Sequence, residues 1–331
     1  MSHGGLSWTA RQSLLVALAD VLVKLRRVRP HDVFVLGGLQ SLDMYAHSVD
    51  AAASLAGQHG PKLADLLPQT AFCTSDAPIV FDMVPSRFVR PGDLQQALWG
   101  PSAPDSPFHT STFLCTVHGV GTLGHVRILG LPGAPSIITD KALVSTVQSS
   151  TVHTKCLTWC ALIAEQLVLG ATSTNDDAFH AALSAIRYAW RVGVAASSAR
   201  GARDRLESER AAAQRGLLHA LREMLGSERG DTVIRTWQHR FSDEVFVGKA
   251  VHWETTRLPH VATTAGLYEE YREVQLAIGH VLDQFSRHFA HGVTSSHEAL
   301  QMVMAADQLS LAKSSFEPAQ RTRGDSRAVF A

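Results

Sequence analysis

Cysteine is scarce in this chain. Cys73, Cys115, Cys156 and Cys160, four residues in 331, are too few and too scattered for a disulfide scaffold, so free thiols in a reduced intracellular protein are expected. The address read from this is cytoplasmic, with an organellar one as the alternative. An excess of charge of one sign is also missing. Lys+Arg 30 against Asp+Glu 30 gives a formal net charge of zero and a pI near 7.3. That balance offers no electrostatic footprint for wrapping a polyanion or binding a membrane surface through a polybasic patch, so no nucleic-acid partner is expected. No apolar run approaches the roughly 18 residues a membrane-spanning helix needs. The familiar chemical motifs are absent as well: no phosphate loop, no Gly-x-Gly-x-x-Gly after a strand, no Gly-x-Ser-x-Gly elbow, no His-Glu-x-x-His pair and no calcium loop.

What is present is core-forming material and histidine. Hydrophobic residues make up 45% and charged residues 18%, enough apolar surface for one large core or two modest ones. Histidine occurs 17 times. Near the N-terminus, residues 11–29 (RQSLLVALADVLVKLRRVR) read as an amphipathic first helix with its basic residues towards the C-terminal end, where the helix dipole favours them. An organelle-targeting helix is the rival reading of the same segment.

Two regimes follow. From about 30 to 140 the chain is punctuated by Pro and Gly, and its short runs have β character. These are Asp32 to Leu36, ending in Gly37-Gly38, then Pro78 to Val84, then Thr112 to His118 and Gly124 to Leu129 flanking a Gly-Val-Gly turn that signals a β-hairpin. Gly37-Gly38 alone is too short a signal for dinucleotide binding. From about 140 the periodicity turns helical, with candidate helices over 141–169, 175–199, 202–226, 231–241, 264–291 and 295–313. Asn175 followed by Asp176 and Asp177 reads as a helix start, and Gly170, Gly226 and Gly292 as stops. The expected fold is mainly α: a helical bundle with a smaller, irregular N-terminal α+β portion that contains a β-hairpin. The corresponding divisions are 1–140, 141–315 and a tail over 316–331, with one integrated domain as the simpler option.

Two segments carry candidate chemistry. In the first, His153, Cys156 and Cys160 stack on one face of the expected 141–169 helix. Cys115 and His118 beside the hairpin turn complete a thiolate and imidazole set (Cys115, His118, His153, Cys156) that tetrahedral zinc would accept. The competing reading is buried thiols with a core histidine. In the second, Leu267, Tyr271, Val274, Ile278, Val281 and Phe285 recur at threes and fours, and His288 extends that stripe inward while His280 falls off it. The helix stops at Gly292, and Thr294, Ser295 and Ser296 follow as a polar turn able to hold a charged group.

His280-Val281 followed by Gly292-x-Thr-Ser-Ser296 resembles the proximal-histidine helix and Thr/Ser turn of tryptophan dioxygenase-like haem enzymes, over about twenty residues. The resemblance implies a haem-dependent oxygenase-like oxidoreductase acting on a small aromatic or amino-acid-like substrate. His280 would then ligate iron, in place of the His288 that the stripe selects, and Thr294, Ser295 and Ser296 would contact the substrate. Tyr188, Trp190, Trp237 and Trp253 are candidates to line its pocket. Against this stands a second class. Residues 200–222 interleave Arg203, Arg205, Arg210, Arg215 and Arg222 with Asp204, Glu207 and Glu209, the pattern of a solvated helix or one laid on a partner. That class is a non-catalytic helical interaction or assembly subunit, homo-oligomeric or in a larger protein assembly, with no cofactor.

Overall fold

The computed structural model describes residues 30–55, 57, 62–66, 79–85, 110–117, 121–129, 140–141, 143–148, 152–173, 175–198, 206–243, 245–257 and 264–290, together with scattered positions over 15–27. The side chains of 64–65, 79–85, 110–117, 121–129, 148, 197–198, 206–213, 224–229, 257, 264 and 288–290 lie outside that description. The chain forms two compact units, Met1–Asp283 and Gln284–Ala331. Of the second, 284–290 are described, and they are helical.

The protein is mainly helical, with an α+β portion. Its strands are β1 (Phe34–Gly37), β2 (Ile79–Pro85), β3 (Thr110–Val117), β4 (Gly121–Leu129), β5 (Val144–Gln148) and β6 (His153–Leu157). The helices are α1 (Gly38–Leu55), α2 (Trp159–Thr172), α3 (Asp176–Ser198), α4 (Leu206–Phe241), α5 (Phe246–Arg257) and α6 (Thr264–Ala290). The strands make one mixed sheet in the order β3-β4-β2-β1-β6-β5. The expected hairpin is β3–β4, antiparallel, with Phe113 opposite Val126. Strand β1 lies in the middle, antiparallel to β2 and parallel to β6. All four of its residues are buried, as expected for an unalternating Phe-Val-Leu-Gly run.

The segment expected to be one helix over 141–169 is instead a hairpin followed by a shorter helix. Strands β5 and β6 pair antiparallel from Val144 opposite Leu157 to Gln148 opposite His153. The β-branched residues Val144, Thr146, Val147 and Thr154 favour the pleated state once β1 offers β6 a parallel partner. Helix α2 starts only after Thr158, whose carbonyl accepts the Leu162 N–H at 2.8 Å. It is buried on almost every side, so it acts as the central rod on which α3 and α4 pack. The two helices expected over 202–226 and 231–241 are one continuous helix, α4, which runs through Gly226. Helices α1 and α5 lie outside the segments whose periodicity predicts a helix. The expected helix over 295–313 lies outside the described residues.

Other expectations hold. Asn175 caps α3, its Oδ1 accepting the Asp177 N–H at 2.9 Å. Among the described positions of 15–27, Leu18, Leu22 and Leu25 are helical and buried, while Val16 and Val23 face solvent, which is the amphipathic pattern. Arg26 of this segment donates to the carbonyl of His153 at 3.2 Å and so ties it to β6.

Candidate functional site

A buried polar cluster lies where α3, α5 and α6 meet. Arg187 on α3 is fully buried and Glu254 on α5 is 1% exposed. The Glu254 carboxylate is filled from four directions. Its Oε1 takes the Arg187 guanidinium and the Tyr188 hydroxyl, the latter at 2.7 Å. Its Oε2 takes Ser184 at 3.1 Å and the Tyr271 hydroxyl from α6. A carboxylate offers about four lone-pair sites, so this one is saturated. Arg187 also reaches Glu270, which Arg191 approaches at 3.4 Å from the rim. Its guanidinium carbon lies 4.1 Å from the centre of the Tyr188 ring and 5.3 Å from that of Tyr271, within cation–π range. Burial pushes both tyrosine hydroxyls up, and the nearby Glu254 charge adds to the rise. They therefore stay protonated as donors.

A second polar cluster closes the turn from β1 into α1. Gly38 has φ +64°, a conformation glycine adopts without penalty, and its N–H donates to Glu165 Oε2 on α2 at 2.8 Å. A Cβ on Gly37 would lie 1.9 Å from Glu165 Oε1. The Ser41 hydroxyl donates to the Leu157 carbonyl at 3.0 Å. The start of α1, where the helix dipole favours an anion, is thus held by a carboxylate of the chain itself. That is the chemical meaning of Gly37-Gly38 here.

The sequence-derived metal set is not brought together. His153 and Cys156 are on β6 and not on a helix, three residues apart, with His153 exposed and Cys156 buried. Cys160 lies beyond them in α2. Cys115 is in β3, which three strands separate from β6. Four strand spacings amount to about 19 Å, far more than one zinc with ligands at roughly 2 Å can bridge. The Cys115 side chain and His118 lie outside the described residues, yet the strand order alone prevents Cys115 and Cys156 from sharing an ion. Burial pushes the Cys156 thiol up to about 12, opposed by its hydrogen bond with Ser41. Burial raises Cys160 as well. Both remain thiols, the inert form. Among the described residues no group of three or more His, Cys, Asp or Glu converges to hold a metal.

The haem candidates are placed as follows. His280 is on α6 and exposed. His288 falls in the last turns of the same helix, with its side chain outside the described residues, as are Thr294, Ser295 and Ser296. Each aromatic candidate has its own contacts. Trp237 stacks on Phe179 at 4.5 Å, beside Phe241, and its Nε1 donates to the Leu167 carbonyl at 2.7 Å. Trp190 meets Trp159 edge-on and donates to Glu273 at 3.3 Å. Trp253 donates to Asp177 at 3.0 Å, and Tyr188 belongs to the Glu254 cluster.

Sequence reasoning missed Arg187, Glu254 and Glu165. A signal existed for Arg187, the one charged residue in the run Ala-Leu-Ser-Ala-Ile-Arg-Tyr-Ala-Trp, since a charge on a buried helix face requires a counter-charge. Nothing local pointed to Glu254 as that partner, 67 residues away.

No protein-family description, curated protein or solved structure matches the chain. Among the described residues no helix is long and apolar enough to cross a membrane.

Proposed function

We propose that this protein is a non-catalytic helical assembly subunit that associates with further copies of itself. The observation that carries the reading is the state of Glu254. A general acid or base must exchange protons with a reactant, and a ligand must have a lone pair to give. Glu254 has every acceptor site taken by Arg187, Tyr188, Tyr271 and Ser184, so it serves geometry. Glu165 Oε2 is taken by the Gly38 N–H and the Gln166 amide, and the Cys156 and Cys160 thiols are held protonated. A body stiffened by such internal contacts suits a structural role. Zero net charge removes the long-range repulsion that keeps proteins monomeric.

The test is sedimentation velocity and absorption spectroscopy on the purified full chain. A colourless protein whose sedimentation rises with concentration above that of the 35.8 kDa monomer is the expected result. A monomer with an intense Soret band that shifts on reduction would overturn the proposal in favour of the haem oxygenase reading. His280→Ala and His288→Ala would then identify the iron ligand by loss of that band.

A further inference from the structure

We infer that the outward face of α6 is where a second copy of this chain docks, with the two α6 helices antiparallel. This rests on the self-assembly reading and names its surface. On its inner side α6 buries Leu267, Tyr271, Val274, Ile278, Val281 and Leu282. At about 100° per residue, positions 272, 276, 279 and 283 fall within an arc of about 60°, centred about 140° round the helix from the middle of that stripe. Arg272 and Asp283 are exposed there, and Leu276 is 66% exposed, an apolar side chain left in water at the middle of the face. Beside it, a Cβ on Gly279 would meet nothing within 4 Å, so the surface is open at that point.

These four residues are self-complementary in one orientation. A two-fold axis between 277 and 278 puts Arg272 against Asp283 of the partner subunit, and Leu276 against Gly279 of the partner subunit, where the missing side chain admits it. Symmetry makes each contact twice. Parallel pairing in register would instead oppose Arg272 to its own copy and Asp283 to its own copy, and like charges face to face select against that arrangement. Asp283 Oδ1 already accepts Gln238 Nε2 at 2.8 Å, which orients the carboxylate and leaves Oδ2 for the arginine. One helix pair of this length buries less than about 1,200 Å², the class of weak and reversible contacts. The association is therefore concentration-dependent.

The test uses the full chain and charge reversal, followed by sedimentation velocity over a wide concentration range. Arg272→Glu alone opposes Glu to Asp, and Asp283→Arg alone opposes Arg to Arg, so each is expected to weaken self-association by about tenfold or more. Mixing the two single variants should restore it as a heterodimer, because each mutated position then meets its opposite charge. The Arg272→Glu/Asp283→Arg chain should self-associate like the wild type. Leu276→Asp should weaken association by a similar factor with an unchanged far-UV circular dichroism spectrum. If Leu276→Asp assembles like the wild type, or the mixed single variants stay apart, this face is wrong while the assembly reading stands. A wild type that stays monomeric throughout overturns both.

Discussion

The Glu165 carboxylate lies 2.8 Å from the backbone nitrogen of Gly38, although 127 residues separate the two in the chain. The contact joins the first turn of α1 to the second turn of α2, so the helices that follow the two parallel strands β1 and β6 are locked at their starts. Glu165 is fully buried, and a polar group taken out of water in that position needs such a donor to offset its lost hydration.

Gly37→Ala should therefore cost stability. The new methyl would require the Glu165 carboxylate to leave its place at Gly38, an overpacking penalty of about 1–3 kcal/mol. Urea denaturation should show that loss, and a smaller loss in a Glu165→Asp background, where the shorter side chain leaves room. Gly248→Ala is the control. Nothing lies within 4 Å of its Cβ position in α5, and alanine in a helix interior should gain about 0.5–1 kcal/mol.

Arg187 and Glu254 should behave as a coupled pair. Removing either partner alone, by Arg187→Met or Glu254→Leu, leaves a buried charge uncompensated and should destabilise by about 3–5 kcal/mol. The double variant should lose much less than the sum of the two. A double-mutant cycle from chemical denaturation measures the coupling, and strict additivity would show that the pair does not interact in solution.

The raised thiols make the fold alkali-sensitive. A group whose pKa is higher folded than unfolded gives stability that is complete below its unfolded value and is lost as pH rises towards the folded one. For Cys156 that window runs from about 8.5 to about 12. Within it, stability should fall by about 1.4 kcal/mol per pH unit for that thiol alone. The Cys156→Ala variant should show a shallower decline. Alkylation at pH 8 followed by mass spectrometry should find the peptide holding Cys156 and Cys160 unmodified in the native protein and modified after denaturation.

His180 has the opposite sign. Its imidazole lies against Trp253 at 6.0 Å and Phe179 at 5.7 Å, and its Nδ1 has no hydrogen-bond partner. Burial lowers its pKa, which the nearby Asp176 charge resists. Stability linked to a lowered histidine is present above the unfolded value of about 6.5 and is lost as pH falls through the folded one. NMR titration should place His180 below that unfolded value, and His180→Gln should flatten the acid limb of the stability profile. A midpoint at or above the unfolded value would contradict the burial seen here.

Local pattern alone was enough for several elements. The Leu267, Tyr271, Val274, Ile278 and Val281 stripe specifies α6 whatever surrounds it, and Asn175 with two acidic residues specifies the start of α3, because both signals act within a few turns of one helix. The β3–β4 hairpin is written in its own Gly-Val-Gly turn. The segment from Val144 to Leu157 differs, since its β-branched residues carry apolar periodicity compatible with either state. What decided it was β1, more than a hundred residues earlier, offering β6 a parallel edge to pair with. That choice moved His153 and Cys156 off a shared helical face and undid the metal set built on them.

The polar clusters divide in the same way. Sequence by itself determined that Arg187 sits on an apolar helix face and that Gly37-Gly38 ends a strand, since both follow from residues nearby in the chain. Only the tertiary structure decided that Glu254 answers the one and Glu165 the other. An ionic contact is selected by distance in space and by the low dielectric around it, and neither is encoded in the spacing between residues 67 or 127 positions apart.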